Sequence, residues 1–161
     1  MHLTAAFSLR LHSAGTDLKS ARSELLRDGQ PTGKVIDATV LQAAIAWQNC
    51  TFLLVTDDIP YEEFLTIHLL DAKLDLLDTA SIGTMYSTDE LTQLTVVGPS
   101  AFEFSFLGRR RVELLSEAQW RDPFNWCEPS GVWRAWGFRR HFCVKAVPGD
   151  ADTCALQRPA S

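Results

Sequence analysis

The sequence predicts a mainly β fold, an antiparallel barrel or strongly curved meander sheet of about eight to ten strands. Three observations carry this. Apolar residues recur with period two along most of the chain, which places them on one face of a strand. Turn signals separate these runs at intervals of about 8 to 12 residues, the spacing of a meander. No strand-helix-strand alternation with a glycine-rich turn occurs, so a doubly wound parallel sheet is not expected.

The elements follow in order. In Leu3 to His12 the odd positions Leu3, Ala5, Phe7, Leu9 and Leu11 are apolar, whereas Thr4, Ser8, Arg10 and His12 are polar. Thr16 to Arg27 is the exception to period two. Thr16 or Asp17 can cap a first helical turn, and Gly29 can end a helix in the left-handed region. Leu18, Ala21 and Leu25 form a helical stripe. A helix is expected over 16–27, with a strand as its rival. Asp28 to Gly33 reads as a loop.

Thr39 to Trp47 alternates again, and Gln48-Asn49 turns the chain. Cys50 to Asp57 is a nearly continuous apolar strand, broken at Asp58-Ile59-Pro60 because proline cannot donate to a ladder. Phe64 to Asp71 and Leu74 to Ile82 pair around Ala72-Lys73. Leu91 to Val97 and Phe102 to Leu107 flank Gly98-Pro99-Ser100, a hairpin signal that sets Phe102, Phe104 and Phe106 on one face. Gly108-Arg109-Arg110 turns the chain into Arg111 to Leu115. Ser116-Glu117-Ala118-Gln119 matches a capping box, so a short helix is expected near 116–121, ended by Pro123. Val132 to Val147 reads as one long final strand, bent at Gly137.

One domain over residues 1–147 is expected, with a small polar tail over 148–161 that frays. The full length of 161 residues fits one domain and suffices for a core without staples. Apolar residues at 46% and charged residues at 22% exclude a disordered chain. No apolar run reaches the roughly 18 residues of a spanning helix, so no membrane partner is expected. Arg10 and His12 interrupt any apolar leader, and a cytoplasmic location is expected. Cys50, Cys127, Cys143 and Cys154 contain no C-x-x-C pair and read as free thiols in a reducing compartment.

The net charge of −5 marks an acidic protein and gives no overall basic footprint, so nucleic acid is an unexpected partner. The charge is unevenly spread. Residues 51–100 hold nine acids against one base, whereas residues 101–147 hold eight bases against five acids. This polarity suits steering of a partner.

Motifs for phosphate, dinucleotide, zinc-protease and hydrolase chemistry are absent. His2, His12, His68 and His141 are too far apart in sequence for a local metal pair, and no cofactor is expected. His141 and Cys143 share a strand face, but i and i+2 lie about 7 Å apart, too far for thiol activation. Asp57, Asp58, Asp71, Asp75 and Asp78 read as solvated turn residues. Arg140 shares strand parity with Trp136, Phe138, Phe142 and Val144 and so points inward. A buried guanidinium needs a carboxylate or a ligand anion, unless a bulge turns it out or its head group snorkels to water. Trp120, Trp126, Trp133 and Trp136 fall close together with Phe124 and Phe138. They either close one end of the core or form a binding platform with Arg139 and His141.

Three classes of function stay open. The first is a non-enzymatic module that recognises an unknown protein partner through the Trp-rich end. The second is a β-barrel for a small anionic or apolar ligand, lined by Trp136, Phe138 and Phe142 and anchored by Arg140. The third is an enzyme using His68 or His141 with a carboxylate, which requires the two to converge in a pocket.

Overall fold

A computed structural model describes residues 1–13, 21–57, 63–84, 86–87, 89–116, 128–134 and 140–148. These residues form thirteen strands in three antiparallel sheets and no helix. None of them forms a helix long and apolar enough to cross a membrane. The mainly β, antiparallel expectation is met, but the sheets do not close into a barrel.

The central sheet has the order β1-β5-β6-β7-β8-β12. It comprises β1 (His2–Leu3), β5 (Val40–Trp47), β6 (Cys50–Thr56), β7 (Leu65–Leu70), β8 (Leu76–Ile82) and β12 (Val132–Trp133). The run β5-β6-β7-β8 is the meander that the alternating sequence predicts. Its turns follow local chemistry. Gln48 takes a positive φ of 48° between the paired Trp47 and Cys50. The Asp71 carboxylate accepts the N–H groups of Lys73 and Asp75, an Asx turn.

A second sheet, β13-β11-β10-β9, contains β9 (Thr92–Val96), β10 (Ala101–Ser105), β11 (Arg109–Leu114) and β13 (Phe142–Ala146). A third, β2-β3-β4, contains β2 (Phe7–Ser13), β3 (Arg22–Arg27) and β4 (Gln30–Ile36). The central sheet packs on both, so β6 is buried on both faces. Phe52 and Leu54 join Ile67, Phe102, Phe104, Phe106 and Phe142 in the larger core. Leu53 and Val55 face the other way, onto Phe7 and Leu25. This explains why β6 lacks alternation: a strand with both faces covered reads as a continuous apolar run.

Several expectations are corrected. Arg22–Arg27 is a strand, not the second half of a helix; residues 16–20 lie outside the described residues. Ladders to β2 and β4 and the complete burial of Leu25 outweigh helix propensity, a weak prior. The expected loop over Asp28 to Gly33 shrinks to two residues. Asp28 and Gly29 both take positive φ (51° and 76°) between the paired Arg27 and Gln30, the type I′ hairpin geometry. Arg109 and Arg110 lie in β11 rather than in a turn; the turn is made by Leu107 and Gly108, both at positive φ.

The single final strand is two strands in different sheets, β12 and β13, and 135–139 lie outside the described residues. So do 58–60 and the short helix expected near 116–121, apart from Ser116.

Candidate functional site

The break between β12 and β13 creates the most unusual site in the fold. β12 is a two-residue edge strand, with Val132 paired to Ile82 and Trp133 to Ser81. Two-residue strands have little ladder of their own, so the hold on β12 comes from side chains around Arg134.

Asp78 is the first half of that hold. It shares strand parity with Ala80 and Ile82 and points between the central and second sheets, with its side chain 1% exposed. Its Oδ1 accepts from the Thr79 N–H at 2.8 Å, Arg134 Nη1 at 3.1 Å and Arg140 Nη1 at 3.4 Å. Its Oδ2 accepts the His141 N–H at 2.7 Å. A buried carboxylate is tolerable only with such a set of donors.

Arg134 is the second half. Its Nη1 also donates to the Thr79 carbonyl at 3.2 Å, and Nη2 to the Phe142 carbonyl at 2.9 Å. Its Nε and Nη2 bind the Glu128 carboxylate. The guanidinium carbon lies 4.2 Å from the Phe142 ring centroid, a cation–π contact. Glu128 Oε1 then accepts the Val144 N–H at 3.3 Å.

These backbone groups are edge groups. His141 and Val147 direct their backbone bonds to β11, so by antiparallel alternation Phe142 and Val144 turn theirs to the open side. The Arg134–Glu128 pair thus supplies one donor and one acceptor where a neighbouring strand would sit. One guanidinium holds the edges of β8 and β13 together.

The predicted site residues therefore part company. Arg140 is buried, and a carboxylate, Asp78, is among its partners. The continuous strand whose parity would point it inward is not present, since β12 ends at Trp133 and β13 begins at Phe142. Phe142 lies in the core against Phe52, with ring centroids 5.4 Å apart, and lines no barrel mouth. His141 is half-buried and meets Asp78 through its backbone. Trp133 is 65% exposed, and its indole N–H donates to the Gly83 carbonyl at 3.3 Å. Trp120, Trp126, Trp136, Phe138 and Arg139 lie outside the described residues. The expectation of a solvated turn aspartate fails at Asp78, which lies inside β8 on the same face as the core residues Ala80 and Ile82.

Trp133 ends a row that crosses the central sheet through Leu41, Val55, Thr66 and Ser81. Leu41 and Val55 pack under the third sheet. Thr66 and Ser81 are half-buried, with their hydroxyls 3.0 Å apart. In the adjoining row, His68 Nδ1 lies 3.1 Å from Thr79 Oγ1. This hydroxyl strip was visible in the sequence as alternation in Leu65–Leu70 and Leu76–Ile82. Which face the described residues leave uncovered was not.

Burial holds the His68 imidazole below its ordinary pKa, against a smaller opposing field from Asp37. Asp37 itself is exposed and bound by Arg22 at 3.1 Å, and among the described residues no carboxylate hydrogen-bonds the ring. The sign of the pH effect follows. Below about pH 6.5 the unfolded chain takes up a proton that the folded ring resists, so stability falls as pH drops through that window. Urea unfolding between about pH 7.5 and 5 should show this slope reduced in His68→Gln; equal slopes in both chains would contradict it.

Among the described residues no cluster of three His, Cys, Asp or Glu side chains could hold a metal ion. One pocket of about 260 Å³ lies away from the site, lined by Gln93, Thr95, Val97, Glu103, Phe104 and Arg109. Arg109 and Arg111 pair with Glu103, and Arg111 and Lys145 with Glu113, so acids are interleaved with this basic patch. The chain matches no family model, no curated protein and no solved structure.

Proposed function

We propose that this protein is a non-enzymatic recognition module that contacts a protein partner through the uncovered end of the central sheet, with Trp133 as anchor. One observation carries the reading: a tryptophan stands 65% exposed on a two-residue edge strand, yet its neighbour Arg134 is fixed by buried ion pairs. Exposed, rigidly mounted tryptophans dominate interface energetics because they offer large contact area at low entropic cost. Ser81 and Thr66 add hydroxyls beside it. Trp126, Trp136, Phe138 and Arg139 join the proposal by proximity in sequence. A cytoplasmic setting suits Cys50, which is a free thiol.

The ligand-barrel alternative is less well supported, because the sheets stay open and Phe142 is core. For the enzymatic alternative, no carboxylate is bonded to His68 among the described residues.

The test compares wild-type and Trp133→Ala chains as affinity baits, followed by titration of whatever protein is retained. A partner held by the wild type should bind the variant about 30-fold more weakly, the effect of a hot-spot truncation, with the unfolding midpoint unchanged. A partner held equally by both chains, or no partner for either, would contradict the reading.

A further inference from the structure

Among the described residues the three sheets have six edges, and five of them are blunted. β1 and β12 are two residues long. β13 carries the Arg134–Glu128 cap. β9 has a register break with β10 and holds Gln93 at a positive φ of 54°. β4 contains Pro31, which has no N–H, and Gly33 at φ 73° beside a second register break. Short length, bulges and proline are the devices by which edges avoid pairing. In β2 the register shift with β3 falls only at the far end, between Leu11 and Ser13, and Phe7–Leu11 pairs regularly. It spans seven residues, Phe7–Ser13, with no proline or glycine.

The direction of its free groups can be worked out. The Asp28 N–H donates to the Ala6 carbonyl at 2.6 Å. Alternation then turns the backbone groups of Ser8 and Arg10 toward β3, and those of Phe7, Leu9 and Leu11 toward the open edge. On the inner face, Leu11 is 57% exposed.

We infer that β2 is a pairing edge for a second copy of this chain, joined antiparallel about a two-fold axis at Leu9. In that register Leu9 faces Leu9 of the second copy, and Leu11 faces Phe7 of the second copy. The outer face sets Ser8 opposite Arg10 of the second copy, so no like charges meet. Registers centred on Arg10 would oppose two arginines and would also point the wrong backbone groups at each other. Of these two registers the one centred on Leu9 is favoured, giving a six-stranded sheet from two three-stranded ones. So short a contact lies at the small end of interfaces and predicts a weak dimer. The inference is independent of Trp133, which lies in a different sheet.

Sedimentation equilibrium from micromolar to millimolar concentration tests it. The wild type should move from monomer to dimer. Ser8→Arg alters an exposed side chain only, and places a like charge opposite Arg10 in two symmetric pairs. It should raise the dissociation constant about tenfold. Ser8→Glu should lower it. Leu11→Pro removes an outward N–H without touching the ladder to β3 and should abolish the dimer. A wild type that stays monomeric throughout, or a dimer unmoved by Ser8→Arg and Leu11→Pro, would overturn the proposal.

Discussion

Replacing Arg134 by alanine should destabilise the fold by about 3–5 kcal/mol, the range for breaking a buried ion pair from one side. The loss is large because four groups depend on one guanidinium: Asp78, Glu128 and the carbonyls of Thr79 and Phe142. Asp78 would keep its backbone donors and Arg140, but Glu128 would retain only the Val144 N–H among the contacts described above. Arg134→Lys should recover little, since an ammonium cannot match the planar fork. Chemical denaturation reads the change, with the m-value tracking whether the native state loosens. A loss below about 1 kcal/mol, the worth of a surface pair, would show that the cluster is not a structural pin.

The second large effect is expected at Phe52. Its ring is fully buried and meets Phe102 and Phe142 edge-on, with centroids 5.2 and 5.4 Å away. It is the point where the central strand β6 touches two strands of the second sheet. Phe52→Ala should cost about 3–5 kcal/mol through lost transfer energy and an unfilled cavity, with lost edge-to-face contacts included. The midpoint of urea unfolding should fall with the m-value unchanged. A smaller loss, under about 2 kcal/mol, would mean that the two sheets close over the gap, as a loosely joined pair can.

The sequence discloses the fold unevenly, for physical reasons. Period-two alternation is a local property, so the β5-β6-β7-β8 meander and the Phe102, Phe104 and Phe106 face could be read directly. Arg22–Arg27 could not, because Glu24, Leu25, Leu26 and Arg27 are all good helix formers, and only the ladders on both sides make them a strand. Thirteen strands in three sheets are more than one closed barrel needs. The two-sided burial of β6 was the available sign of layering, in its unbroken apolar run.

At the site, Arg140 could be singled out because a charge of inward parity demands a partner. Asp78 could not, since an aspartate near a turn looks solvated until the sheet edge closes over it. Arg134 carried no signal at all. Its role depends on contacts to residues 55 and 56 positions away, which no local pattern encodes. Trp133 was one of four clustered tryptophans, and its exposure depends on which face of the central sheet the third sheet leaves bare.

Central to this account is that the Arg134–Glu128 pair closes the outer edge of β13 in place of a strand. Hydrogen exchange at single amides measures this directly. The Val144 N–H, bound by Glu128 at 3.3 Å, should be protected in the wild type. In Arg134→Ala it should exchange faster, while the amides of Cys143 and Lys145, turned toward β11, keep their protection. Equal exchange at Val144 in both chains, or a uniform loss across β13, would contradict the account.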